Sequence, residues 1–69
     1  MLWLITGDSS HEIVACNTYF KDGVHQIWVE RTNGKTLKVE ESEKKYVIDE
    51  IKGAIDYAIS KGHKTLSLD

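Results

Sequence analysis

The side chains best suited to metal binding or nucleophilic catalysis in this 69-residue chain are three histidines and one cysteine. His11, His25 and His63 fall in a turn, a strand and a post-helix loop. None has the i, i+4 or His-x-His spacing that would preorganise zinc, so surface or hairpin-paired roles are expected. Cys16 would be a nucleophile only beside a base and positive charge. With no second cysteine it forms neither an intrachain disulfide nor a thiolate zinc cluster, and a predicted core-face position makes it a small hydrophobe. Ser9-Ser10-His11 has the residue types of a hydrolase, but adjacent residues do not form a relay and no oxyanion motif accompanies them. The glycines stand at turn and cap spacings, with neither G-x-G-x-x-G nor a P-loop. No cofactor is implied and no enzyme is expected.

A second kind of chemistry belongs to Tyr19 and Trp28. Strand alternation puts them on one sheet face with Ile13, Gln26 and Lys38. Such a face could stack nucleic-acid bases or bury itself against a protein, where tryptophan and tyrosine dominate binding. Nine basic and eleven acidic residues give a net charge of −2. Arg31 is the only arginine, and Glu30 lies beside Trp28. A mixed aromatic and polar face without a basic stripe fits a protein partner, or a second copy of the chain, better than a phosphate backbone. The run Glu40-Glu41-Ser42-Glu43 complements a helix N-terminus.

These side chains must be held by a small set of elements. Leu2 to Thr6 is an apolar run closed by Gly7-Asp8-Ser9-Ser10, which predicts a strand buried on both faces. Residues 12–20 and 24–31 are β-branched and aromatic-rich, and Asp22-Gly23 between them predicts a two-residue hairpin. That turn opposes Phe20 to His25 and Cys16 to Val29. Val14, Cys16, Phe20, Ile27 and Val29 then face the core, and Ile13, Ala15, Asn17, Tyr19, Gln26, Trp28, Glu30, Thr36 and Lys38 face away. A bulged three-residue loop at Asn33-Gly34 opposes Val29 to Leu37 and Ile27 to Val39. From Ser42 the period becomes helical, with Val47, Ile48, Ile51, Ala54, Ile55, Ala58 and Ile59 on one stripe. Ser42 as N-cap and Gly62 at C′ give a helix of about 28 Å. Thr65 to Leu68 makes a last strand.

The expected architecture is a single α+β domain over residues 1–69. It is a β-β-β-β-α-β chain with an antiparallel sheet of about five strands in the order 4-3-2-1-5 and one long helix on one face. In an up-and-down meander the last strand runs antiparallel to the first.

Asp49–Asp69 (DEIKGAIDYAISKGHKTLSLD) resembles the helix-strand unit of ribonuclease H-like domains. The resemblance would make Glu50 the helical metal-binding glutamate, Asp69 the strand-end aspartate and Asp8, after the first strand, the remaining carboxylate. It implies magnesium-dependent cleavage if the three converge. A meander with four strands before the helix instead puts Asp8 and Asp69 at opposite ends of the sheet. The second half of such a domain is also expected to be missing after Asp69. A metal site is therefore not expected, and a degenerate ribonuclease H-like or nucleic-acid-binding domain is the alternative function.

MLWLITGDSS lacks a basic n-region, and its apolar run is too short for a signal peptide or membrane span, so a cytoplasmic protein without membrane association is expected. A chain of this size buries only roughly 60% of its unfolded surface. Its size suits a small non-enzymatic protein-interaction module. Such a module would be a homodimer or a compact inhibitor or modulator of a partner, of the kind that phages and mobile elements encode.

Overall fold

The computed structural model describes residues 1–68. The elements are β1 (Leu2–Thr6), β2 (Ser9–Lys21), β3 (Val24–Arg31), β4 (Thr36–Ser42), α1 (Lys45–Ser60) and β5 (Thr65–Ser67). The strands form one sheet in the order β4-β3-β2-β1-β5, and α1 packs on one face of it.

Turn chemistry sets the registers. Asp22 and Gly23 both take positive φ, 53° and 78°, the mirror-image turn whose twist matches that of the paired strands. Phe20 accordingly pairs with His25 and Cys16 with Val29. The next connection is the bulged loop expected. Gly34 adopts φ 85°, its N–H donates to the Arg31 carbonyl, and Val29 opposes Leu37. Beyond that the register departs from expectation, because a second irregularity puts Ile27 opposite Glu40 rather than Val39.

β2 is the organising strand. Its 13 residues would span roughly 40 Å if straight, more than the molecule's longest dimension of 33 Å. The strand therefore bends, and its ladder breaks where the register shifts between Ile13 and Ala15. A bulge of this kind adds one residue and re-aims its neighbours. Ile13 opposes the buried Leu2 and is itself 0% exposed. The expectation that Ile13 lies on the open face is corrected: the extra residue at Val14 returns Ile13 to the helix side. Ala15, Asn17 and Tyr19 keep their predicted orientation because they lie beyond the bulge.

β1 and β3 flank β2 at different heights. Leu2 stands opposite Ile13 and Thr6 opposite Ser9, whereas Val24 to Arg31 pair from Lys21 back to Ile13. The hairpin half of β2 thus pairs with β3, and the other half with β1. This stagger overturns the predicted antiparallel last strand. α1 starts where β4 ends, beside His25. Its 16 residues reach about 24 Å, the length of the hairpin half. The chain then continues into the other half without reversing, and β5 pairs parallel to β1, Trp3 with Thr65 and Ile5 with Ser67.

Leu2, Leu4, Ile13, Cys16, Ile27 and Val29 from the sheet meet Ile48, Ile55 and Ala58 from α1 in the core. Ala54 is exposed, at the margin of its predicted stripe. The helix begins later than expected. Lys44 is the N-cap without a side-chain cap bond, while Ser42 stays paired in β4 and its Oγ accepts the Lys44 N–H. At the other end Gly62, at φ 70°, closes the helix as predicted. Its N–H donates to the Ile59 carbonyl and that of His63 to Ala58, the paired bonds of a Schellman motif.

Candidate functional site

The face of the sheet opposite α1 carries the predicted aromatic residues. Cross-strand pairing arranges them in rows: Ala15, Glu30 and Thr36; Asn17, Trp28 and Lys38; Tyr19, Gln26 and Glu41. Trp28 is at the centre and half-buried, and Tyr19 is 56% exposed. The Trp28 indole N–H donates to Gln26 Oε1 at 3.0 Å, two residues away on the same strand. That bond satisfies the only polar atom of the indole and leaves its ring as the contact surface. Lys38 is ion-paired with Glu41. Residues three apart on a strand normally face opposite ways, and the irregularity in β4 brings these two to one side. Tyr19, Gln26, Trp28 and Lys38 are thus together on this face, and Ile13 is beneath it in the core.

The sequence reading missed Trp3. β1 was expected to be buried on both faces, yet Trp3 is 44% exposed while Leu2 and Leu4 are buried. One helix covers one face of one sheet, so β1 had to alternate. That limit was available from the count of helical stripes alone. Trp3 opposes Glu12, and both lie on the same side as Trp28.

The other chemical candidates do not converge. Cys16 is buried against α1, and its Sγ donates to Asp56 Oδ1 at 3.2 Å. Burial and the neighbouring carboxylate push its pKa up to about 11, so the thiol stays protonated and unreactive at neutral pH. Asp56, held below the usual carboxylate range chiefly by its hydrogen bond from Lys52, pairs with that lysine at 2.5 Å. His25 packs on Phe20 at 4.5 Å, and His63 lies edge-on to Tyr57 at 5.8 Å. His11 opposes Leu4, with its Nδ1 buried and unpartnered. Asp8 sits in the turn after β1, Glu50 is exposed on α1, and Asp69 lies outside the described residues. The parallel pairing of β1 and β5 brings the C-terminal ends of these strands to one end of the sheet, contrary to the expected separation. Among the described residues no three His, Cys, Asp or Glu side chains are grouped to hold a metal ion. A cleft of about 210 Å³ on the helix side, between the Val14 bulge and Gly62, is lined mainly by apolar residues such as Met1, Leu2 and Ile59.

Comparison with protein-family models, curated proteins and solved structures finds no match to this chain. No helix among the described residues is long and apolar enough to cross a membrane.

Proposed function

We propose that this chain is a small non-enzymatic interaction module whose open sheet face, centred on Trp28, binds another protein as an inhibitor or modulator, or binds its own copy. What carries the reading is where the aromatic residues lie. The chain has two tryptophans, three tyrosines and one phenylalanine, and none of them belongs to the aliphatic core. Aromatic side chains bury roughly 150–250 Å² each and ordinarily dominate a core. Three of them, Trp3, Tyr19 and Trp28, share the open face, and a domain short of burial gains by covering that face with a partner. Trp28 further supports this use, because an indole with its N–H already satisfied presents an apolar surface ready for contact.

The test compares Trp28→Ala and Tyr19→Ala with the parent chain by sedimentation velocity, partner cross-linking and circular dichroism. The expected result is a folded variant whose self-association or partner retention is lost. Unchanged assembly together with unchanged partner retention overturns the proposal.

A further inference from the structure

We infer that the segment received by the open face is cationic, with arginine side chains laid on Trp28 and Trp3 and held by Glu30 and Glu12. This rests on the interaction-module reading and adds the chemistry of the partner. Strand alternation turns five charged side chains to this side: Glu12, Glu30 and Glu41, with Lys38 and Lys21. Lys38 is committed to Glu41, and Lys21 stands at the hairpin tip. Glu30 is exposed and makes no ion pair or side-chain hydrogen bond among the described residues, while Glu12 receives only the neutral Thr32 hydroxyl at 3.2 Å. The middle of the face therefore carries two uncompensated negative charges.

Each of these carboxylates adjoins a tryptophan. Glu12 is the direct cross-strand partner of Trp3, a relation that places Cβ atoms about 5 Å apart. Glu30 is two residues from Trp28 on the same side of β3, about 6.6 Å along the strand. An aromatic plane beside a carboxylate suits a guanidinium, which stacks on the ring while its N–H fork pairs with the carboxylate oxygens. The arrangement occurs twice. Counting residues along the ladder and strands across it, the midpoints of the two pairs lie on the order of 12 Å apart. An extended segment with arginines four positions apart spans roughly that distance and turns both side chains to one face. A second copy of the chain complements the face less well, since it presents glutamate to glutamate. A phosphate backbone meets the same negative charge.

The test uses the full chain, isotopically labelled, titrated with a pentapeptide bearing arginine at both ends of a Gly-Ser-Gly spacer. Matched peptides carry glutamate at both ends or a single arginine. Both indole N–H resonances are expected to shift, with binding weakened by salt, weaker for the single-arginine peptide and absent for the glutamate peptide. Glu30→Gln and Trp28→Ala are each expected to lower affinity about tenfold with circular dichroism unchanged. No shift at millimolar peptide, an equal response to the glutamate peptide, or an affinity untouched by Glu30→Gln overturns the inference. So does tighter binding of a labelled single-stranded oligonucleotide under the same conditions. If Trp28→Ala abolishes self-association or partner retention while Glu12→Gln and Glu30→Gln leave it intact, the interaction module stands and the arginine chemistry falls. If none of the three changes it, both fall.

Discussion

The two faces of this sheet are made from alternating residues of the same strands, yet they are built from different chemistry. Toward α1 the buried side chains are leucine, isoleucine, valine and one cysteine. Away from α1 stand Trp3, Trp28 and Tyr19 among glutamates, lysine and amides. The covered face supplies stability through close-packed aliphatic burial. The open face contributes little to the isolated fold and offers large, shape-specific side chains to whatever covers it. Because period-2 alternation separates the two sets, substitutions in one should leave the other almost untouched.

Core truncation tests that separation most severely. Ile13→Ala and Ile55→Ala are each expected to destabilise by about 2–5 kcal/mol, removing buried methyl groups and leaving cavities. Val14→Ala, next door but 42% exposed, is expected to cost about 1 kcal/mol or less. Denaturant unfolding reads all three, and an Ile13 variant as mild as the Val14 variant would place the bulge wrongly.

A smaller effect probes the seam between sheet and helix. Cys16, pushed up to about 11 from an ordinary 9.0, binds its proton more tightly in the folded than in the unfolded chain. Its contribution is complete below pH 9 and is lost as the pH rises from about 9 to 11. Cys16→Ala should flatten that loss in a series of melts, and alkylation of the parent at pH 8 should proceed only as fast as the chain opens.

The smallest effect on folding is expected at the proposed site. Trp28→Ala should cost about 1 kcal/mol or less, the value of its cross-strand contacts. A loss as large as that of Ile55→Ala would make Trp28 a structural residue and erase the contrast between the faces.

The hairpin and the helix were legible in the sequence because each depends on local chemistry, and the strand order because successive strands of an up-and-down chain pair and leave the last one the free edge of β1. Asp22-Gly23 fits positive φ, Gly34 fits the bulged loop, Gly62 fits the helix end, and the isoleucine period marks one helix. For the site, the orientation of Tyr19, Gln26, Trp28 and Lys38 was readable by counting alternately from the hairpin turn. Ile13 was not, because counting fails across an extra residue and nothing in Ile13-Val14-Ala15 marks one. Trp3 was misjudged because an apolar run looks the same whether one or both of its faces are covered.

By itself, then, the sequence determined the elements, the tight turns and the residues that share a face near each turn, all of which follow from interactions a few residues long. Only the tertiary structure decided that β2 bends at Val14, that β1 and β3 meet it at different heights, and that β5 lies parallel to β1. Those features depend on how strands of unequal length are covered by one helix of about 24 Å, a constraint that no local pattern contains.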